Sequence, residues 1–187
     1  MLAIATPLER PDHRPGLVEA AKTGDMAAFE LLMRQNERLV LVTALRLLGN
    51  LEDAQDASQE VFLRLYRSLG KLQGSASLGG WLYRVTVNAC HDLRRRRPPA
   101  APVEDAADLP AREPDPQQTM AEAERRRVLE LSLRLLSEKE RAALVLRDLE
   151  GLETREVARI LGVQEVTVRS QIATARIKLK RMLEGSV

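Results

Sequence analysis

The sequence predicts an all-α fold of two small helical domains joined by an extended connector, and three observations predict it. The first is the supply of core residues. Hydrophobic residues make up 44% of the 187-residue chain but aromatics only 3%, so the cores are built from Leu, Val and Ala, which favours helices. The second is spacing: apolar residues recur at helical intervals on both sides of a central gap. The third is the gap itself. Residues 98–118, PPAAPVEDAADLPAREPDPQQ, hold six of the nine prolines. Proline removes backbone donors and forces its predecessor into extended conformations. This segment buries no core and reads as a semi-flexible linker, with a reach of roughly 70 Å at most.

The elements follow in order. Residues 1–16, with Pro7, Pro11 and Pro15, read as a disordered tail, and the first domain as 17–97. Asp25 is placed to cap a helix in which Phe29, Leu32, Met33, Leu39, Val40, Leu45 and Leu48 keep apolar spacing up to Gly49-Asn50, a stop signal. A second helix starts near Glu52 or Asp53. Ala54, Ala57, Val61, Leu65 and Leu69 share one face, and Asp53, Asp56, Gln59 and Glu60 lie opposite. A glycine-rich loop, Gly70 to Gly80, precedes a third helix from about Trp81 to Arg97, stopped by Pro98-Pro99.

The second domain, 119–187, opens on an apolar stretch from Val128 to Leu136. Ser137-Glu138-Lys139-Glu140 is a capping box and starts a new helix, which Gly151 ends. The segment REVARILGVQEVTVRSQIATAR, Arg155 to Arg176, has the pattern of a helix-turn-helix. Ala158 is small where two helices cross, and Gly162 suits a turn with positive φ. Val163 is expected to plug the angle between the helices, with Val168 and Ile172 packing the second on the first. Glu165, Thr167, Arg169, Ser170 and Thr174 are left outward, available to base edges or phosphates.

Charge narrows the function. The net charge is only +2, but its distribution is uneven. Residues 1–97 carry 14 basic and 11 acidic residues, 98–118 one and five, and 119–187 again 14 and 11. Basic clusters close each domain: Arg94 to Arg97 in the first, Arg169, Arg176, Lys178, Lys180 and Arg181 in the second. A basic run alone is often a solvated helix end, but two of them, each closing a helical block, point to a polyanion. A single cysteine, Cys90, and two separate histidines, His13 and His91, leave no disulfide and no metal site to expect. No nucleophile–base pair or phosphate-cradling loop is apparent, so neither catalysis nor a cofactor is expected. Apolar stretches fall short of the ~18 residues of a membrane span, and the first residues lack a secretory h-region. A cytoplasmic protein without membrane insertion is expected.

The residues also resemble a family. DAQDASQEVFLRLYR (Asp53 to Arg67), WLYRVTVNACHDLRRR (Trp81 to Arg96) and the run from Leu136 to Lys180 resemble regions 2.2, 2.4 and 4 of bacterial RNA polymerase sigma factors. The resemblance is to the two-domain, extracytoplasmic-function (ECF) type of the sigma-70 superfamily. It implies a region 2-like helical bundle and a region 4-like helix-turn-helix that together recognise −10 and −35 promoter elements. Asp53, Asp56, Gln59 and Glu60 would face the β′ clamp helices of core polymerase, and the β flap would be a further contact. The Gly70–Gly80 loop would hold a flipped −10 nucleotide. Trp81, Tyr83, Arg84, Asn88, Arg94 and Arg95 would line the −10 DNA path, although Trp81 also suits a core position. Thr167, Arg169, Ser170 and Arg176 would read the −35 element. An anti-sigma factor is implied as a further partner. The sequence departs from the family pattern at Glu153 and Gln164, where Ser or Thr usually opens each helix, with Thr154 placed to cap one residue late. It also lacks basic residues at Gln171 and Thr174, so the −35 sequence read would be unusual or its binding weak. The alternatives are a stand-alone operator-binding regulator, which would not need the acidic stripe, and a helical adaptor whose basic clusters are merely solvated.

Overall fold

The structure is a computed structural model that describes residues 15–72, 78–96 and 128–184. The expected tail up to residue 14, the centre of the glycine-rich loop (73–77), Arg97 and the 98–118 linker lie outside the described residues. Eight α-helices and no strand are found among the described residues.

The first domain contains α1 (Pro15–Lys22), α2 (Met26–Leu48), α3 (Leu51–Ser68) and α4 (Leu78–Arg96). A single 3₁₀ turn, Leu69–Lys71, follows α3. Helix α1 was not anticipated; it opens on Pro15, a residue suited to the first helical position, and buries Val18 and Ala21. Asp25 caps α2, accepting from the Ala28 N–H at 3.0 Å. Gly49 ends α2 at φ +83°, and its N–H bonds the Leu45 carbonyl. Asn50 then caps α3 by accepting from Asp53 N–H at 2.8 Å, while its amide donates to the Asp53 carboxylate at 2.6 Å. The face of α3 made by Ala54, Ala57, Val61 and Leu65 is buried as its spacing requires. Helix α4 begins at Leu78, three residues before the expected Trp81. Leu78 is fully buried, and that anchor draws Gly79 and Gly80 out of the expected loop into the first turn.

The second domain is helical over 128–134 (α5), then α6 (Glu138–Leu144), α7 (Thr154–Leu161) and α8 (Glu165–Glu184). The capping box is formed: Ser137 accepts from Glu140 N–H, and Glu140 accepts from Ser137 N–H. Helix α6 runs on into a wider turn, Val145–Leu149, where Glu150 N–H reaches back five residues to the Val145 carbonyl at 2.9 Å. This rotation buries Val145, Leu146, Leu149 and Leu152 together. In the apolar stretch before α6, Leu133 and Leu136 are buried and Leu131 and Leu135 exposed, so only one of its faces is core. Gly162 joins α7 to α8 at φ +66°. Ala158, Val168 and Ile172 pack at the crossing as expected. Val163 does not plug the angle: it lies 37% exposed, its N–H turned back to the Ala158 carbonyl. Glu153 occupies the cap position of α7 without a side-chain bond, and Thr154 is the first helical residue rather than a late cap.

The two domains pack against each other, α4 against α7 and the C-terminal half of α2 against α6 and the wide turn.

Candidate polymerase and nucleic-acid interfaces

Three surfaces carry the residues singled out by the sequence. The first lies between α2 and α3 on the outside of the first domain. Phe29, Met33, Ser58, Gln59, Phe62, Leu63 and Tyr66 line a groove of about 600 Å³, with Glu30, Arg34 and Glu37 at its rim. Phe29 and Tyr66 meet edge to face, centroids 5.3 Å apart. Leu63 and Tyr66 are half exposed, so the groove is an apolar strip open to solvent. Gln59 connects it to the acidic side of α3. On that side Asp53 serves the Asn50 cap, Asp56 is half-buried, and Glu60 holds Arg64 at 2.7 Å. Arg64 also reaches Asp92 of α4 at 3.1 Å. Bonding to Glu60 and Asp92 raises the pKa of its guanidinium. The acidic stripe is therefore partly structural, and the apolar groove beside it is what the sequence reading missed. Its signal was present: Leu63 and Tyr66 lie off the buried face of α3.

The second surface is α4, where the six residues assigned to −10 DNA separate into two groups. Asn88 and Arg95 are exposed, and Trp81 is half-buried against the core. The remaining three are held at the junction with the second domain. Tyr83 is fully buried, and its hydroxyl donates to Glu150 Oε2 at 3.2 Å. Arg84 donates to the Arg159 carbonyl at 3.3 Å, one of the carbonyls left unpaired at the end of α7. Arg94 donates to the Leu47 carbonyl at 3.0 Å and pairs with Glu138 at 3.3 Å. Cys90 is buried on the inner face of this helix, and burial pushes its thiol up to about 12.

The third surface is α8. Thr167, Arg169 and Ser170 in its first turns are exposed, and Arg169 bonds Glu165 on the same helix at 2.8 Å. Further along, two cations bond back to carboxylates of the second domain. Arg176 makes a two-pronged bond to Asp148 at 2.7 and 2.8 Å. Lys178 holds Glu140 at 2.8 Å, and that bond keeps the Glu140 carboxyl below the usual carboxylate range. Arg176 thus secures α8 to the wide turn, a role that its place in a basic run did not disclose.

The junction itself was not foreseen. Glu150 is fully buried, and its carboxylate accepts from Arg46 at 2.7 Å, Thr43 at 3.2 Å and Tyr83, all from the first domain. Nearby, the last carbonyls of α2 receive guanidinium groups from the second domain: Arg141 bonds Leu47 at 2.7 Å and Arg134 bonds Gly49. Arg141 is almost wholly buried, also bonds the Leu133, Arg134 and Leu136 carbonyls, and burial lowers its pKa to about 10. No group of side chains suited to a metal ion occurs among the described residues. Nor is any described helix long and apolar enough to cross a membrane.

Comparison with known proteins places this geometry. The sigma-70 region 2 family model matches residues 32–98, and the sigma-70 region 4 model residues 126–179. The ECF RNA polymerase sigma factor SigE of Mycolicibacterium smegmatis is 38% identical, over 94% of this chain and 70% of its own. SigM of Mycobacterium tuberculosis is 36% identical, over 94% and 86%. The ECF sigma-E factor of Escherichia coli is 33% identical, over 86% and 88%. Among solved structures, CnrH in complex with the cytosolic domain of CnrY has the same fold, with TM-score 0.67 at 24% identity over 92% of this chain and 98% of that one. The sigma factor RpoE of Bartonella quintana, solved with the anti-sigma factor NepR, gives TM-score 0.63 at 22% identity, over 81% and 96%. A four-helix first domain with its acidic, grooved flank and a second domain ending in a helix-turn-helix therefore have one common assignment: the chain belongs to the sigma-70 family, in its extracytoplasmic-function group.

Proposed function

We propose that the α2–α3 groove with Gln59 and Glu60 docks on the β′ clamp helices of core RNA polymerase. In the same reading, α4 lines the melted −10 strand, and the exposed start of α8 reads the −35 major groove. The observation that carries this reading is the half-exposed apolar strip of Leu63 and Tyr66 beside exposed Gln59 and half-buried Glu60. Such a surface on a small domain is a protein-binding site by its chemistry. The start of α8 complements it, because Thr167, Arg169 and Ser170 point outward where a second helix enters a groove. In this role the protein is not an enzyme: it lends specificity to a polymerase that does the chemistry, and it works in the cytoplasm. An anti-sigma factor is the natural regulator, covering the same surfaces. Asp53 contributes through the α3 cap, and Asp56, Gln59 and Glu60 through charge and hydrogen bonding at the rim.

The test is reconstitution. Core polymerase, this chain and a promoter library are mixed, and initiation sites are mapped. Specific starts that depend on the chain are expected. Leu63→Glu and Glu60→Arg are expected to weaken core capture about tenfold or more while melting stays within a few degrees. Capture at wild-type strength by both variants overturns the docking surface. Binding to duplex operators without polymerase, and no initiation with it, favours the stand-alone regulator.

A further inference from the structure

We propose that Val166 reads the methyl group of a thymine in the −35 element, as the apolar member of a reading head whose other members are polar. Val166 takes this role within the sigma-factor reading above, whose −35 contact it specifies. Buried Val168, Ile172, Ala175 and Leu179 fix the inner face of α8. At about 3.6 residues per turn, the line opposite them passes through Val166, Ser170, Ala173 and Ile177. Val166 is the second residue of the helix and is 62% exposed. It therefore sits at the leading, outermost point of α8, with exposed Thr167 on one flank and exposed Arg169 on the other. A helical side chain leans back towards the helix N-terminus, which carries the valine further in the direction by which a recognition helix enters a groove.

The chemistry of the side chain selects its target. A β-branched residue on a wet helix surface has modest helix propensity and leaves apolar area in water, so Val166 contributes little to the fold. Its surroundings define what it meets. Thr167, Arg169 and Ser170 offer hydrogen bonds, and exposed Arg155 and Arg159 stand on α7, the helix that crosses the DNA backbone in this motif. To such a face a major groove presents donors, acceptors and one kind of apolar group, the thymine C5-methyl. Val166 has no side-chain donor or acceptor, so the methyl is the feature of the groove that it distinguishes. A protein partner fits less well, because an apolar contact core needs apolar neighbours, and Thr167, Arg169 and Ser170 are polar. Ile177, 54% exposed on the same line, lies three turns further on, about 16 Å along the axis. That exceeds the groove width of about 12 Å, so Ile177 takes no part in reading.

The test removes the methyl and the valine in turn. Core polymerase with the full chain selects a promoter from a library. Each thymine of its −35 element, on either strand, is then replaced singly by deoxyuridine, and the affinity of the polymerase–protein complex for each duplex is measured. Deoxyuridine at one position is expected to weaken wild-type binding about three- to fivefold, the worth of one buried methyl. Val166→Ala is expected to weaken binding to the thymine duplex by a similar factor and to lose its response to deoxyuridine at that position, so that the two losses do not add. Ile177→Ala is expected to keep the full wild-type response. Alanine is the better helix former, so Val166→Ala is expected to melt no lower than wild type. Indifference of the wild type to deoxyuridine at every thymine, or a Val166→Ala protein that responds as wild type does, overturns the methyl contact. Weaker capture of core polymerase by Val166→Ala in the absence of DNA makes Val166 a protein contact and overturns it as well. A wild type that selects no −35 sequence overturns the −35 reading of α8 itself, and the methyl contact with it. A wild type that selects promoters yet ignores the methyl overturns the methyl contact alone.

Discussion

Helices α4 and α8 are alike in length, with 19 and 20 residues, each carries several cations in its C-terminal half, and each is matched to a DNA element by family resemblance. The structure uses them differently. On α4, Arg84 and Arg94 donate to backbone carbonyls, one across the junction and one at the end of α2. On α8 the division runs along the helix: Arg169 near the start bonds a neighbour one turn away, while Arg176 and Lys178 grip carboxylates of the wide turn and α6. A cation's place in a basic run does not say what it does; its partner does. A guanidinium on orphan carbonyls carries structure, and one bound to an exposed i, i+4 neighbour gains little from it and is free in energetic terms to leave.

The largest expected effect tests the carbonyl end of this comparison. Arg141→Ala removes four hydrogen bonds from a buried guanidinium to the Leu47, Leu133, Arg134 and Leu136 carbonyls. It is expected to cost about 3–4 kcal/mol and lower the melting midpoint by roughly 10 °C. Calorimetry of the full chain checks it; a loss below 2 °C would mean that water replaces the guanidinium.

Arg169→Ala tests the other end. Melting is expected to hold within about 0.5 kcal/mol, while −35 affinity falls by ~1–3 kcal/mol with relaxed preference at one base pair. The measurement is affinity of the polymerase–protein complex for single-base −35 variants at two salt concentrations. Uniform weakening with a shallower salt slope would make Arg169 a phosphate contact instead.

Arg176→Ala sits between the two. Loss of the two-pronged bond to Asp148 is expected to destabilise the chain by about 1 kcal/mol and to weaken all −35 sequences alike, by loosening α8. Base-selective weakening with unchanged melting would return Arg176 to the reading face.

The smallest effect is a pH dependence. The folded-state pKa of Glu140 is depressed by Lys178, so its contribution to stability is present above the usual carboxylate value of 4.5 and is lost as pH falls through the lower folded value. Lys178→Met is expected to flatten the decline of the melting temperature below about pH 4.5. Identical acid limbs in the two proteins would show that the pair carries no net stability.

The same contrast marks what the chain discloses locally. The capping box at Ser137–Glu140, the Asp25 cap and the Gly162 turn all appear where their side chains and backbone freedom demand. The Asn50–Asp53 cap was equally legible, yet Asp53 read first as part of an acidic contact face, because a carboxylate one turn into a helix looks the same in either role. The groove of Leu63 and Tyr66 was half legible, as apolar residues off the buried stripe. Val163 and Leu78 went astray for a common reason: burial at a helix end depends on what packs there, not on spacing.

By itself, then, the sequence determined the all-α class, two helical domains, the helix-turn-helix and the family motifs. These rest on interactions within a few residues, where the 3.6-residue period, caps and turn chemistry act directly. Only the tertiary structure decided that Glu150 meets Arg46, 104 residues away, that Tyr83 spends its hydroxyl on that carboxylate, and that Arg176 is a fastener. Such pairings are fixed when whole domains meet. Ion pairs between distant residues have no period and no required neighbour, so an isolated glutamate beside a glycine carries no mark of the arginine it will find.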